Sequence, residues 1–372
     1  MHGQVRMVVR TDGVTIGSAS RLGLPVDVLT DFYNANWNRR IALGLPSFYR
    51  WQFLDAPGSR NSDHCAVAVD RAGIILGIMG LNPRAFVLSG RNLRGAEMTT
   101  YVVAEAARGR GIGSRIMRFL QGEFDVLLGA GITPAAIPVY TLAGFGFIRA
   151  LPRFVRIYGE LPEDLLRVTD LGKRLLARKI KRPDRYGTVQ RVTSAEIVLG
   201  HLAPFNHYDR DPQNLAWRYE SHPVFAYEMY RVSEADDEAF LVLRFDEVGG
   251  VTITHVMECF GTDGGIERAT AAIDAICLSR GVRFADFTCT ATGITRFFRA
   301  RRWFSILDDH DVQASNLFYP PEYRDPPTTS LMVWAKEQMS ELLDTARLYV
   351  TKGDLDLDRP TLAYYEAKNL PT

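Results

Sequence analysis

The sequence predicts a mixed α/β fold made of two related domains in tandem, and three observations carry that reading. Short β-rich runs alternate with segments of helical spacing along the first half of the chain. The same order of elements returns in the second half. An aromatic signature returns with it: Tyr49-Arg50-Trp51-Gln52-Phe53 is followed by Pro57, and Leu215-Ala216-Trp217-Arg218-Tyr219 by Pro223, with the two tryptophans 166 residues apart. A length of 372 residues, 47% of them hydrophobic, suffices for two domains that each bury a core without disulfide or metal staples.

In chain order, Pro25 to Trp37 has helical spacing, with Val28, Leu29, Phe32 and Tyr33 on one side. His64 to Val69 and Ile74 to Leu81 are β-rich runs flanking Asp70-Arg71-Ala72-Gly73, which is a hairpin signal. Ala96 to Val103 is a further strand, followed by a glycine-rich loop and a helix over Ser114 to Gly122. Asp125 begins another strand, Ala135 to Ala143 reads as a short helix, and Phe145 to Tyr158 as closing strands. Between Leu161 and Tyr186, Leu165, Val168, Leu171, Leu175 and Ile180 form an apolar stripe beside crowded Lys and Arg, the pattern of a solvated amphipathic linker helix. The second half then gives β-rich runs (Tyr227 to Val232, Phe240 to Phe245, Val251 to Met257), a helix over Ile266 to Leu278, a strand over Phe284 to Cys289 and a helix over Thr295 to Ala300. The expected domains are 1–158, a linker helix 159–190, a second domain 191–340 and a tail 341–372.

Forty-four basic residues against 43 acidic ones leave a net charge of +1, which argues against a dedicated nucleic-acid binder. Four cysteines without CxxC spacing read as free thiols in a reducing cytosol, and the expected location is cytoplasmic. Val126 to Ile148 is uncharged over a membrane-spanning length, but Pro134, Pro138 and four glycines would break a lipid-exposed helix, so no membrane span is expected. The seven histidines show no HExxH, and no metal is expected. Asp354, Asp356 and Asp358 imitate the start of a calcium loop, but Tyr365 stands where its final ligand belongs.

The most informative string is Arg108-Gly109-Arg110-Gly111-Ile112-Gly113-Ser114, between a strand and a helix. Glycines at alternate positions let the backbone approach a ligand closely. The free amides and dipole of the following helix then favour an anion, so the string predicts a phosphate or pyrophosphate cradle. It is not the dinucleotide fingerprint, which would need Gly where Ser114 stands, nor a P-loop, since no Gly-Lys-Ser/Thr follows.

Arg108-x-x-Gly111-x-Gly113 resembles the acyl-CoA pyrophosphate loop of the GNAT superfamily of N-acyltransferases. Tyr140-Thr141-Leu142-Ala143-Gly144-Phe145 resembles the second motif of that superfamily, with Glu105 standing where Pro is usual and Thr133 where Asn is usual. The resemblance covers residues 1–158 and extends to the second half only in element order. It implies acyl-CoA as co-substrate, held by Tyr101, Val103, Arg108, Gly109, Arg110, Gly111, Ile112, Gly113 and Ser114. It implies Glu97 as general base, Tyr140 as the acid for the leaving thiolate, and backbone amides at Tyr101 and Val103 polarising the thioester.

In the second half the equivalent string, Met257 to Gly265, lacks the arginine–glycine pattern, and Asp263 would repel a phosphate. A working domain followed by a degenerate one resembles the two-domain bacterial acyltransferases that modify amino sugars. That implies a small-molecule acceptor, the primary amine of a nucleotide-linked amino sugar. No cysteine beside the loop is placed to carry an acyl group, so direct attack in a ternary complex is expected. The second domain would serve as an acceptor wall, with Asn206, His207, Tyr208, Arg210 and Arg218 as candidates and Trp217 able to stack on a base or sugar. Two alternatives stay open. One is a Fem-type aminoacyl transferase, disfavoured by the intact Arg108 loop and near-neutral charge; the other is a non-catalytic module binding CoA or a sugar nucleotide. Oligomeric state is not legible.

Overall fold

Ten strands form one sheet and seven a second among the described residues; the first takes three strands from the second half of the chain, and the second takes one from the first half. The computed structural model describes residues 8–37, 40–176, 179–319, 321–325, 328–355 and 359–371. The first half begins with a hairpin, β1 (Val9–Thr11) and β2 (Val14–Ser18), then α1 (Val26–Asn36) and α2 (Pro46–Phe53). The helices bury Leu29, Tyr33, Phe48, Tyr49 and Phe53 against the sheet. Next come β3 (Ala66–Val69) and β4 (Ile75–Leu88), joined at Asp70, whose Oδ1 accepts the amides of Ala72 and Ile74 while Gly73 takes a positive φ. After β5 (Arg91–Val103) follow α3 (Ile112–Glu123), β6 (Val126–Ala130), α4 (Ile137–Leu142) and β7 (Gly146–Ile148).

The first sheet runs β1-β2-β3-β4-β5-β6-β20-β7, where β20 is Leu331–Ala335. Conversely β8 (Arg153–Ile157) belongs to the second sheet. β8, from the residues expected in the first domain, thus sits in the second sheet, and β20, from those expected in the second domain, sits in the first.

The expected linker helix over 159–190 is not continuous. Its described residues instead give β9 (Leu166–Val168), a short α5 (Asp170–Leu176) and, over 179–187, chain that is neither helix nor strand ahead of β10 (Thr188–Arg191). Pairing decides this: β9 joins β17 (Val312–Ala314), which brings Val168 onto the core formed by Val248, Ile253 and Phe284. Leu171 and Leu175 remain exposed, and Pro183 lacks the donor a helix would need.

The second sheet runs β10-β12-β13-β14-β15-β8-β16. Ahead of its long meander lie β11 (Asn206–Tyr208) and α6 (Pro212–Leu215), which passes into a π-helical turn, Ala216–Glu220. The meander is β12 (Tyr227–Glu234), β13 (Asp237–Val248) and β14 (Val251–Gly261). Then come α7 (Asp263–Ser279), β15 (Phe284–Thr288), α8 (Thr292–Ala300) and β16 (Phe304–Ser305). A small hairpin, β18 (Leu317–Phe318) and β19 (Pro321–Glu322), precedes β20.

Residues past 338 are no simple tail. They form α9 (Met339–Leu343), β21 (Leu348–Tyr349) and α10 (Leu362–Ala367), and they pack between the halves. β21 runs parallel to β11, which in turn pairs antiparallel with β4, so the second half is stitched to the first sheet. The four cysteines are buried free thiols. No helix among the described residues is long and apolar enough to cross a membrane.

Candidate active site

β5 and β6 run parallel from Gly95 to Met98 and then part. The cause lies in β5. Met98 faces Leu81 and Tyr101 faces Met79, so Thr99 and Thr100 together oppose the single residue Gly80. Such a bulge bends its strand away from its neighbour. Beyond β6 the chain turns at Gly131 and continues to α4, leaving a V-shaped cleft of about 1130 Å³.

Of the residues expected to hold CoA, Tyr101, Val103, Arg108, Gly109, Gly111, Ile112, Gly113 and Ser114 line this cleft. Arg110 does not; it is exposed and outside the lining. Gly109 and Gly111 take φ of +74° and +71°, and a Cβ on either would meet open space. That is what a cradle for a close-fitting anion requires. Gly111 caps α3, so the amides of Ile112, Gly113 and Ser114 have no partner within the helix and lie at the positive end of its dipole. A Cβ at Gly113 would overlap the Tyr101 hydroxyl, so that glycine lets Tyr101 pack under the loop. These residues fit a pyrophosphate-bearing ligand.

At the apex of the V is a smaller cavity of about 140 Å³, lined by Thr99, Thr100 and Tyr101 of β5 and by Tyr140 of α4. Tyr140 is buried, its ring edge-on to Tyr101 at 6.3 Å and to Phe145 at 5.3 Å. Burial pushes the Tyr101 hydroxyl up to about 12, so it remains protonated at neutral pH. Trp37, Ile41, Arg324 and Arg359 close the far side. Sequence reasoning did not find these four, because nothing local marks them; they reach the apex from α1, from the chain before β20 and from the C-terminal segment.

Glu97 lies two residues before Thr99 and lines a third cavity, of about 30 Å³, which shares Arg359 with the apex. Asn82 Nδ2 donates to Glu97 Oε2 at 3.1 Å. Trp217 and Arg218 line this cavity too, so part of the expected acceptor wall does meet Glu97. Trp217 is engaged otherwise than expected. Its ring stacks on Trp51 at 5.0 Å and 21°, and its Nε1 donates to the Trp51 carbonyl, so the two copies of the repeat pack on each other. Arg218 donates to the Gly353 carbonyl and the Tyr227 hydroxyl. His207 faces none of the three cavities. It is buried in β11 with Nδ1 against the Tyr208 carbonyl at 2.7 Å, and desolvation together with Arg210 lowers it to about 4.

In the second half the equivalent site is filled from within. A Cβ at Gly264 would overlap the Asp237 carboxylate, and one at Gly265 the Glu238 carbonyl. Asp263 at the start of α7 pairs with Arg296. β14 and β15 part after Val256, past a bulge at Met257, and the segment from Tyr349 to Asp354 occupies their opening. Tyr349 donates to Glu258 Oε2 at 2.7 Å, and Arg210 bridges Glu258 and Asp354.

Residues 29–145 match the acetyltransferase (GNAT) family model. A comparison with curated proteins returned no match. Among solved structures, a GCN5-related N-acetyltransferase from Anabaena variabilis is 12% identical with a TM-score of 0.54, the alignment covering 89% of this chain and 75% of that one. N-myristoyltransferase from Saccharomyces cerevisiae, solved with bound myristoyl-CoA, is 10% identical with a TM-score of 0.50, covering 89% and 80%. At such identities the likeness is one of fold.

Proposed function

We propose that this chain, whose residues 29–145 match the acetyltransferase (GNAT) family model, is an acyl-CoA-dependent acyltransferase that transfers the acyl group to a primary amine within one ternary complex. The observation that carries this reading is the V between β5 and β6, with the glycine cradle at its mouth and Tyr140 at its apex.

The α3 amides and Arg108 hold the pyrophosphate, and the β5 backbone near Tyr101 and Val103 orients the thioester. Glu97 takes a proton from the acceptor's ammonium. The freed amine nitrogen bonds to the thioester carbonyl carbon, the carbon–sulfur bond breaks, and Tyr140 returns a proton to the departing thiolate. A free thiol and an amide result.

The acceptor we propose is a nucleotide-linked amino sugar. Arg324 and Arg359, which both line the apex cavity, suit phosphate oxygens, and Trp37 in the same lining supplies an apolar face. Isothermal titration with acetyl-CoA tests the first step, with micromolar binding expected and none below millimolar overturning it. Tyr140→Phe is expected to lower kcat about 100-fold with CoA affinity unchanged, read as thiol release. A panel of nucleotide-linked amino sugars set against charged tRNA decides the acceptor, and turnover of aminoacyl-tRNA alone would overturn the sugar assignment.

A further inference from the structure

The cavity beside Glu97 carries buried polar atoms that the fold itself does not use. Gln52 on α2 is 5% exposed and Asn82 on β4 is 4% exposed, and both line the cavity. Gln52 Oε1 and Asn82 Oδ1 have no hydrogen-bond partner among the described residues. The Asn82 amide is not free to reverse, because its Nδ2 donates to Glu97 Oε2. Its Oδ1 must therefore accept. Buried polar groups are nearly always paired, so two unmatched oxygens in one cavity call for a donor.

A helix and the two strands of one hairpin thus converge on one chemistry: Gln52, Asn82 and Glu97 each offer an acceptor. A fourth atom has the opposite character. Trp51 lines the same cavity, and its Nε1 is buried and has no acceptor among the described residues. Arg359 also lines the cavity, and its buried Nη1 pairs with neither Gln52 Oε1 nor Asn82 Oδ1; two other lining cations are committed to the protein. Arg84 binds Asp354 and the Asp209 carbonyl, and Arg218 binds the Gly353 carbonyl and the Tyr227 hydroxyl. At about 30 Å³ the space admits the amine-bearing edge of an acceptor and not a whole ring.

We propose that Gln52, Asn82 and Glu97 hold the acceptor's amine through its N–H donors, and that Trp51 Nε1 donates to an oxygen on the adjacent carbon. The recognised class is a primary amine with a vicinal hydroxyl. This rests on the acyl-transfer reading and narrows it, since it fixes the headgroup whatever the rest of the acceptor is. Gln52 and Asn82 are positioning residues: they hold the nitrogen where Glu97 takes its proton.

Ethanolamine is the smallest molecule with this headgroup, and ethylamine lacks only the oxygen. Saturation-transfer NMR on the CoA-bound protein is expected to show ethanolamine binding at least tenfold tighter than ethylamine. Gln52→Met and Asn82→Leu, which keep volume and lose the acceptor, are expected to weaken ethanolamine at least tenfold. Gln52→Glu, which keeps an acceptor, is expected to restore binding to within threefold. Trp51→Phe is expected to abolish the preference over ethylamine. Each variant is titrated with CoA first, and unchanged CoA affinity certifies its fold. No ethanolamine signal in the CoA complex, or equal signals for wild type, Gln52→Met and Asn82→Leu, would overturn the assignment. Failure of CoA itself to bind the wild type would instead strike the acyl-transfer reading, so the two failures are told apart.

Discussion

In the first half of the molecule β5 and β6 pair from Gly95 to Met98 and diverge past a bulge at Thr99 and Thr100; in the second, β14 and β15 pair over Ile253 to Val256 and diverge past a bulge at Met257. The backbone device is the same and the contents differ. The first opening is a cleft of about 1130 Å³ with a glycine loop at its mouth. The second is packed with Tyr349 and the ion pairs that Arg210 makes to Glu258 and Asp354, and the carboxylate of Asp237 sits where a Cβ on Gly264 would point. A splayed strand pair is thus a scaffold, and the side chains delivered into it decide between a ligand site and a core.

The largest effect expected from breaking this comparison is at Asp354. Asp354→Ala leaves the fully buried Arg210 short of a partner, and roughly 3–5 kcal/mol of stability should be lost in urea unfolding. CoA binding by the folded fraction should survive, because the plug and the cleft belong to different openings.

The seam between the halves gives a pH signature of about 2 kcal/mol between pH 7 and 5. His207 ordinarily titrates near 6.5 and here only at about 4, through burial first and Arg210 second. The unfolded chain takes up the proton below pH 6.5 while the folded chain resists it. Stability is therefore fully present above 6.5 and falls as pH drops toward 4. Denaturant midpoints at pH 7 and 5 measure this; buried His255, lowered likewise to about 4, adds a similar share, so His207→Gln should remove about half of the combined difference.

The two glycine loops should answer oppositely to the same substitution. Gly265→Ala drives a methyl into the Glu238 carbonyl and should cost roughly 1–3 kcal/mol of stability with CoA affinity intact. Gly111→Ala has space for its methyl but sits at φ +71°, and the methyl enters the cleft. It should weaken CoA at least tenfold, about 1.4 kcal/mol, with a folding loss on the order of 1 kcal/mol. Equal behaviour of the pair would end the distinction between cradle and plug.

The sequence by itself determined what local chemistry can determine. Glycines ahead of a helix can be read locally because only glycine takes a positive φ at no steric penalty; Gly109 and Gly111 take that conformation, and all of Arg108 to Ser114 but the exposed Arg110 line the cleft. Hydrophobic periodicity likewise placed α1, β4, β5 and α3, whose patterns the sheet and helix periods dictate. The Trp51 and Trp217 repeat was visible as a spacing. Only the tertiary structure decided that the two rings stack on each other. It also decided that β8 and β20 change places between the sheets, and that the chain after Met339 fills one opening and edges the other. The linker stripe was read as helix because its apolar spacing fits one, while pairing with β17 gave part of it to a strand. The physical reason is common to all of these: strand pairing and cavity filling are settled by contacts between residues tens to hundreds of positions apart. The convergence of Gln52, Asn82, Glu97 and Arg359 on one cavity is a property of that packing, and no window along the chain contains it.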